Sequence, residues 1–292
     1  MDEDGGNVTQ ITFDNSRHLE HIALSFDRTK IIANYFSDPS VGGLSSKMLL
    51  YDITAKTVTQ LLTDFEMAGN GGVDSDINGY IYFTGISSLP FRSPSTQQEF
   101  LANLAANDIY KMKFDGSGLQ NLTNTTDRGE VDVSVSPNGE YVSYIATNLT
   151  DPNNNFTEIW RREVAGTNPK LIYVGGKPRV SSVHDPEISP DGNYIVCSRV
   201  NSNVPPVYPN DPNANTAHDI IKVNVNDATD VVVITQPGPI SIVPDWRANK
   251  ILFLEITDKT NPPHAGLATI NVDGTGYQLI NNGANIGKWI PD

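Results

Sequence analysis

The chain has 292 residues, a formal net charge of −14 and one cysteine. An average surface this acidic repels phosphate backbones and anionic headgroups, and no Lys/Arg cluster offsets it, so neither nucleic acid nor membrane insertion is expected. Cys197, in the apolar run YIVCSR, excludes an internal disulfide and a cysteine zinc site and reads as a buried core thiol.

No apolar run approaches the roughly 18 residues of a membrane span, and the opening MDEDGGNVTQ has neither a basic n-region nor an apolar h-region, so no signal peptide is read there. From that end, MDEDGGNVTQITFDN reads as the end of a third strand, an Asp-Gly turn and a fourth strand. HIALSFDRTKIIANYF, from His21, is a hairpin, and LLYDITAKTVTQLLTD at 49–64 is a strand, a turn and a strand. VDSDINGYIYFTG, from Val73, is the next hairpin. STQQEFLANLAAND at 95–108 carries the one helical period, inside a loop, and DIYKMKFDGSGLQNLTN at 108–124 returns to strand, turn, strand. The clearest hairpins follow: VDVSVSPNGEYVSYIATN at 131–148 and DPEISPDGNYIVCSRVN at 185–201, with looser strand pairs at 158–174 and 219–235. IVPDWRANKILFLEI from Ile242, GLATINVDGTGYQLINN at 266–282 and a final NIGKWIPD complete the series.

Hairpins and strand–turn–strand units alternate along the chain. From Ser25 to Asp76, Ser136, Ser189 and Asp245 the spacing is roughly 50 to 60 residues, and four strands at that period make a propeller blade. The expectation is therefore an all-β chain folding as a single β-propeller domain over 1–292, with four-stranded antiparallel blades. Blade units are set at 14–65, 66–125, 126–176, 177–238 and 239–283. A sixth, closing blade of 1–13 plus 284–292 is shared by the N- and C-termini and is incomplete. In it 8–13 is the outer strand and 285–291 the inner.

The segments SPDGNYIV at 189–196, SPNGEYVS at 136–143 and DGSGLQNLT at 115–123 resemble the repeat of TolB-type propellers, which also occurs in the propeller domains of prolyl oligopeptidases and oligogalacturonate lyases. The likeness runs over nearly the whole chain and is carried by turn-building residues. Gly139 and Gly192 supply the positive φ of a tight hairpin, and Asn138 or Asp191 before them bonds the local backbone. The resemblance implies a periplasmic or extracellular propeller that binds a protein or peptide partner rather than catalysing a reaction. The alternative it leaves open is a carbohydrate-active propeller, a polysaccharide lyase or a glycan-binding module.

Sequence motifs for catalysis are absent: no G-x-S-x-G elbow, H-E-x-x-H zinc motif or Walker phosphate loop occurs. None of the five histidines, His18, His21, His184, His218 and His264, sits in a copy of the lyase metal motif. DEDGG, DGSG and VDGTG lack the spacing of an EF-hand loop and read as turns. Chain direction places the tight turns on one face and the long loops, about 37–47, 85–107, 147–157, 200–218 and 255–265, on the other. Those loops carry Phe91, Phe100, Phe156 and Tyr208, candidate anchors for a protein, peptide or glycan. Alignment on the hairpin turns brings His21, Gly72, Asp132, Asp185, Ser241 and Ile286 to one inner-strand position, with Glu20, His184, Glu130 and Asp74 nearby. The channel mouth should then be acidic and attract a cation or a basic peptide; no other cofactor is expected.

Overall fold

The computed structural model describes residues 19–36, 45–62, 66–68, 72–86, 96–150, 157–175, 182–201, 217–235, 240–258 and 264–282. Its strands are β1 (Leu19–Leu24), β2 (Lys30–Phe36), β3 (Ser45–Asp52), β4 (Thr57–Leu61), β5 (Glu66–Ala68), β6 (Val73–Ser75) and β7 (Tyr80–Ile86). After the helix α1 (Gln97–Ala105) come β8 (Asp108–Lys113), β9 (Gln120–Asn121), β10 (Arg128–Val135), β11 (Tyr141–Asn148), β12 (Thr157–Glu163) and β13 (Lys170–Val174). The remainder are β14 (Val183–Ile188), β15 (Tyr194–Asn201), β16 (Ala217–Asn224), β17 (Val231–Val233), β18 (Ile240–Arg247), β19 (Lys250–Asp258), β20 (His264–Asn271) and β21 (Gln278–Asn282). Neighbours pair antiparallel in groups of four: β1 to β4, β6 to β9, β10 to β13, β14 to β17 and β18 to β21. This is the all-β, four-stranded architecture the repeat predicts. The segments assigned to the closing blade, 1–13 and 284–292, lie outside the described residues.

The chain groups into two compact units, one built mainly from 12–155 and 160–170, the other mainly from 171–289 with 156–159. In the first unit, β5 pairs with both β3 and β7 and so joins the first two blades. Side chains alternate along β7, with Ile81 and Phe83 entering a cluster with Ile32, Met48, Tyr110 and Met112, and Tyr82 entering another with Val133, Val142 and Tyr144. A strand sandwiched between neighbouring blades is buried on both faces, which explains the unbroken apolar run YIYFTGI where one-sided sheets alternate. Each such large side chain contributes about 1.5–3 kcal/mol of transfer free energy. In the second unit, Val196, Ile220, Ile251, Phe253, Ala268 and Ile270 form the equivalent layer. Cys197 is fully buried there, and desolvation pushes its thiol far above the ordinary range, as expected of a core cysteine.

The Ser-x-Asx turns share one hydrogen-bond pattern. Ser136 Oγ accepts from Tyr141 N at 2.9 Å and donates to Asn138 Oδ1 at 2.7 Å, while Gly139 N donates to Ser136 O. Ser189, Asp191 and Gly192 repeat it, as do Ser25, Asp27 and Arg28. The DGSG and VDGTG segments are turns of a related kind: Asp115 and Asp273 accept both the N–H and the hydroxyl of Ser117 and Thr275.

One register differs from the sequence alignment. Asp245 is not at the turn; it pairs with Leu252, and the strand continues to Arg247 opposite Lys250. The hairpin closes there through Ala248 and Asn249, with Ala248 at φ 48, in place of the longer serine-led turn. WRANK has neither the Ser nor the Gly, one or both of which mark every other hairpin turn, so the alignment slipped by two residues. The position equivalent to Asp132 and Asp185 is Val243, not Ser241. Its φ of 53 matches their 54 and 50, and each lies at a register shift of its strand.

Candidate functional site

The long-loop ends of the inner strands, where the candidate residues fall, are described unit by unit. In the first unit His21 is half-buried at the irregularity of β1, and its N–H donates to Asn34 Oδ1 at 2.6 Å. β6 packs against both β1 and β10. Its Asp74 carboxylate accepts from Val135 N at 2.8 Å, and Ser75 Oγ donates to Leu24 O at 2.8 Å, so β6 is tied to both neighbours. Gly72 lies against the Asp132 bulge: a Cβ on Gly72 would meet Val133 N at 3.0 Å and Asp132 Cα at 3.2 Å.

In the second unit His184 and Asp185 lie at the matching end of β14. Asp185 Oδ2 accepts from Ser198 Oγ and from Val243 N, each at 3.2 Å, so its carboxylate ties β14 to β15 and β18. Ser182 Oγ and His184 Nε2 are 3.0 Å apart, and the His184 ring sits 6.3 Å from that of His218, which β16 brings alongside. Burial holds the His184 imidazole below its ordinary range against the opposing pull of Asp185, so it is neutral at neutral pH. Nearby, Asp219 is buried, accepts from Asn201 Nδ2 at 2.7 Å and pairs with Arg199 at 3.4 Å.

Of the loop aromatics, Phe91, Phe156 and Tyr208 lie outside the described residues, and Phe100 falls within α1. That helix was legible from its period and is capped by Thr96, whose Oγ1 accepts from Glu99 N at 3.1 Å. Its far end docks directly on β10. A Cβ on Gly129 would lie 2.4 Å from Leu104 O and 2.5 Å from Leu104 Cγ, so glycine is required for this approach. Beneath it Glu130 N donates to Asn107 O at 3.2 Å.

Sequence reasoning missed the His184–His218 pair, the Leu104–Gly129 contact and the burial of both Glu130 and Asp108. Strand alternation puts His184 and His218 on one face once β14, β15 and β16 are in register, since His184 opposes Ser198 and Val200 opposes His218. The 202–216 insertion between β15 and β16 hides that register from the sequence.

No family model and no curated protein matches the chain. Among solved structures it is similar to a TolB-type protein of Agrobacterium tumefaciens, at 12% identity and TM-score 0.62, covering 92% of this chain and 83% of that one. TolB of Acinetobacter baumannii matches at 16% and 0.58, over 88% of this chain and 53% of that one. An oligogalacturonate lyase of Vibrio parahaemolyticus matches at 12% and 0.56, over 95% and 69%. The fold is a TolB-like β-propeller, and no helix among the described residues is long and apolar enough to cross a membrane.

Proposed function

We propose that the chain is a non-enzymatic, extracytoplasmic propeller that binds a protein or peptide on its long-loop face, with α1 as part of the contact surface. The observation that carries this reading is the docking of α1 through Leu104 onto Gly129, which makes the helix a fixed platform. Gln98, Glu99 and Ala102 face outward from it. Acyl transfer by a serine–histidine–carboxylate relay is disfavoured in the second unit, where Ser182 and His184 are within hydrogen-bond distance but Asp185 is turned to Ser198 and Val243. The excess of acid over base favours a basic ligand.

The test is selection of peptides from a displayed library on the immobilised chain. Lys/Arg-rich binders should emerge, and Phe100→Ala or Glu99→Lys should weaken them at least about tenfold, as loss of an interface anchor does. Lys113→Glu, on the tight-turn face, should leave them unchanged. Binders indifferent to the α1 substitutions would overturn the platform, and cleavage of a uronate polymer by the chain would overturn the non-enzymatic role.

A further inference from the structure

Glu130 and Asp108 are two carboxyl groups buried together beneath α1, with 1% and 8% of their surfaces exposed. Their hydrogen-bond supplies differ. Asp108 accepts three hydrogen bonds, from Asn121 Nδ2 at 2.7 Å and from Thr123 Oγ1 and Thr125 N at 3.1 Å each. Glu130 accepts from Thr125 Oγ1 at 2.8 Å through Oε1, and its Oε2 is buried without a donor. Thr125 bridges the two, its N–H donating to Asp108 and its hydroxyl to Glu130, and Asp108 acts on Glu130 both through its charge and through a hydrogen bond that favours the protonated glutamic acid. A bare carboxylate oxygen in that position is costly, whereas a protonated Oε2 donates to Asp108 and satisfies both groups.

We propose that Glu130 and Asp108 share one proton beneath α1, and that its loss loosens the docking of the helix, so that the platform is released as pH rises. Glu130 is placed to do this because its own N–H holds Asn107 O and its neighbour Gly129 carries Leu104. Arg128 on β10 reaches Asp127 and lies over the Trp160 ring, and Arg162 on β12 donates to the Glu163 and Gly166 carbonyls. Tyr144 on β11 faces Glu130 with a hydroxyl whose ionisation is pushed far up by burial first and Glu130 second, so it stays neutral. From α1 the acidic group is Glu99, exposed in the first turn at the opposite end from Leu104.

Burial, opposed by the threonine hydroxyls and reinforced by Asp108, raises the Glu130 carboxyl from 4.5 to about 7. Below 4.5 the docked and released forms both hold the proton, and docking is at its strongest. Between 4.5 and about 7 the docked form alone keeps it, so docking weakens with each step of pH; above about 7 the loss levels off. The device rests on contacts within the folded chain, while its effect on a ligand rests on the binding role given to α1.

Hydrogen exchange on the full chain separates the two, because it needs no ligand. Corrected for intrinsic rates, protection of 97–107 and of the Glu130 amide should fall by about a hundredfold between pH 5 and pH 8. Glu130→Gln, whose amide donates to Asp108 at every pH, should hold protection constant across that range. In the unsubstituted chain the Glu130 carboxyl carbon should titrate near neutrality by NMR, a readout that does not depend on the variant folding. Protection independent of pH, an unchanged slope in Glu130→Gln, or a carboxyl titrating at its ordinary value would each overturn the proposal. Recovery of protection at pH 8 on adding calcium would overturn it too, by showing that the two carboxylates hold a cation.

Discussion

Arg28 shows how a single residue tunes the blade turn. It occupies the corner that Gly139 and Gly192 fill in the other Ser-x-Asx turns, with φ 61 against their 70 and 71, and donates the same N–H to the serine carbonyl behind it. A side chain in the left-handed region costs about 1–2 kcal/mol, while glycine gives back roughly 0.5–1 kcal/mol in backbone entropy. The difference favours glycine, so Arg28→Gly should stabilise the chain by about 0.5–1 kcal/mol. Urea unfolding checks this: the midpoint should rise at unchanged slope, and a lower midpoint would mean that the arginine side chain contributes packing that outweighs the strain. Gly139 has a second constraint that φ alone does not reveal. A Cβ there would meet Asp76 Oδ2 at 2.4 Å, where the turns of two blades touch through Ile77 N and Pro137 O.

Among the elements, α1 is the one whose placement depends on a single missing side chain. Gly129→Ala would set a methyl 2.4 Å from Leu104 O, and because the obstacle is backbone, the helix must lift rather than a side chain turn aside. Overpacking of this kind costs about 1–3 kcal/mol. At pH 5, with the Glu130 proton in place, the substitution should still expose 97–107 to rapid hydrogen exchange while β10 pairing with β11 stays protected; equal protection in both chains would show that the contact is loose. The strands themselves were legible because burial on both faces forces runs such as YIYFTGI and YIVCS, and the turns because Ser-Pro-Asx-Gly has few other uses. The turn of β18 was not, because Ala248 adopts its left-handed corner without glycine. Side-chain groupings across insertions were not legible either. His184 and His218, or Asp108 and Glu130, come together only once strand registers are known, and no local period links them.

For the whole molecule the governing quantity is charge, 34 acidic residues against 20 basic. A compact state at this imbalance repels itself more than the unfolded chain does, and the repulsion acts through solvent. Two ion pairs of the described residues do little to offset it. Arg128 with Asp127 is partly exposed, and pairs of that kind contribute about 0–1 kcal/mol; Arg199 with Asp219 is long at 3.4 Å. Screening should therefore stabilise the fold. Raising NaCl from 10 mM to 300 mM shortens the screening length from about 30 Å to below about 10 Å, less than the spacing of many surface carboxylates. The melting temperature should rise by a few degrees over that range, at a fixed pH near 8 where the Glu130 carboxyl is ionised in both states. At pH 5 the increment should shrink, since protons then do part of what salt does at pH 8. A melting temperature that falls with salt would mean that attractive pairs dominate the surface, and the net charge would then be no guide to the stability of this propeller or to the sign of its partner.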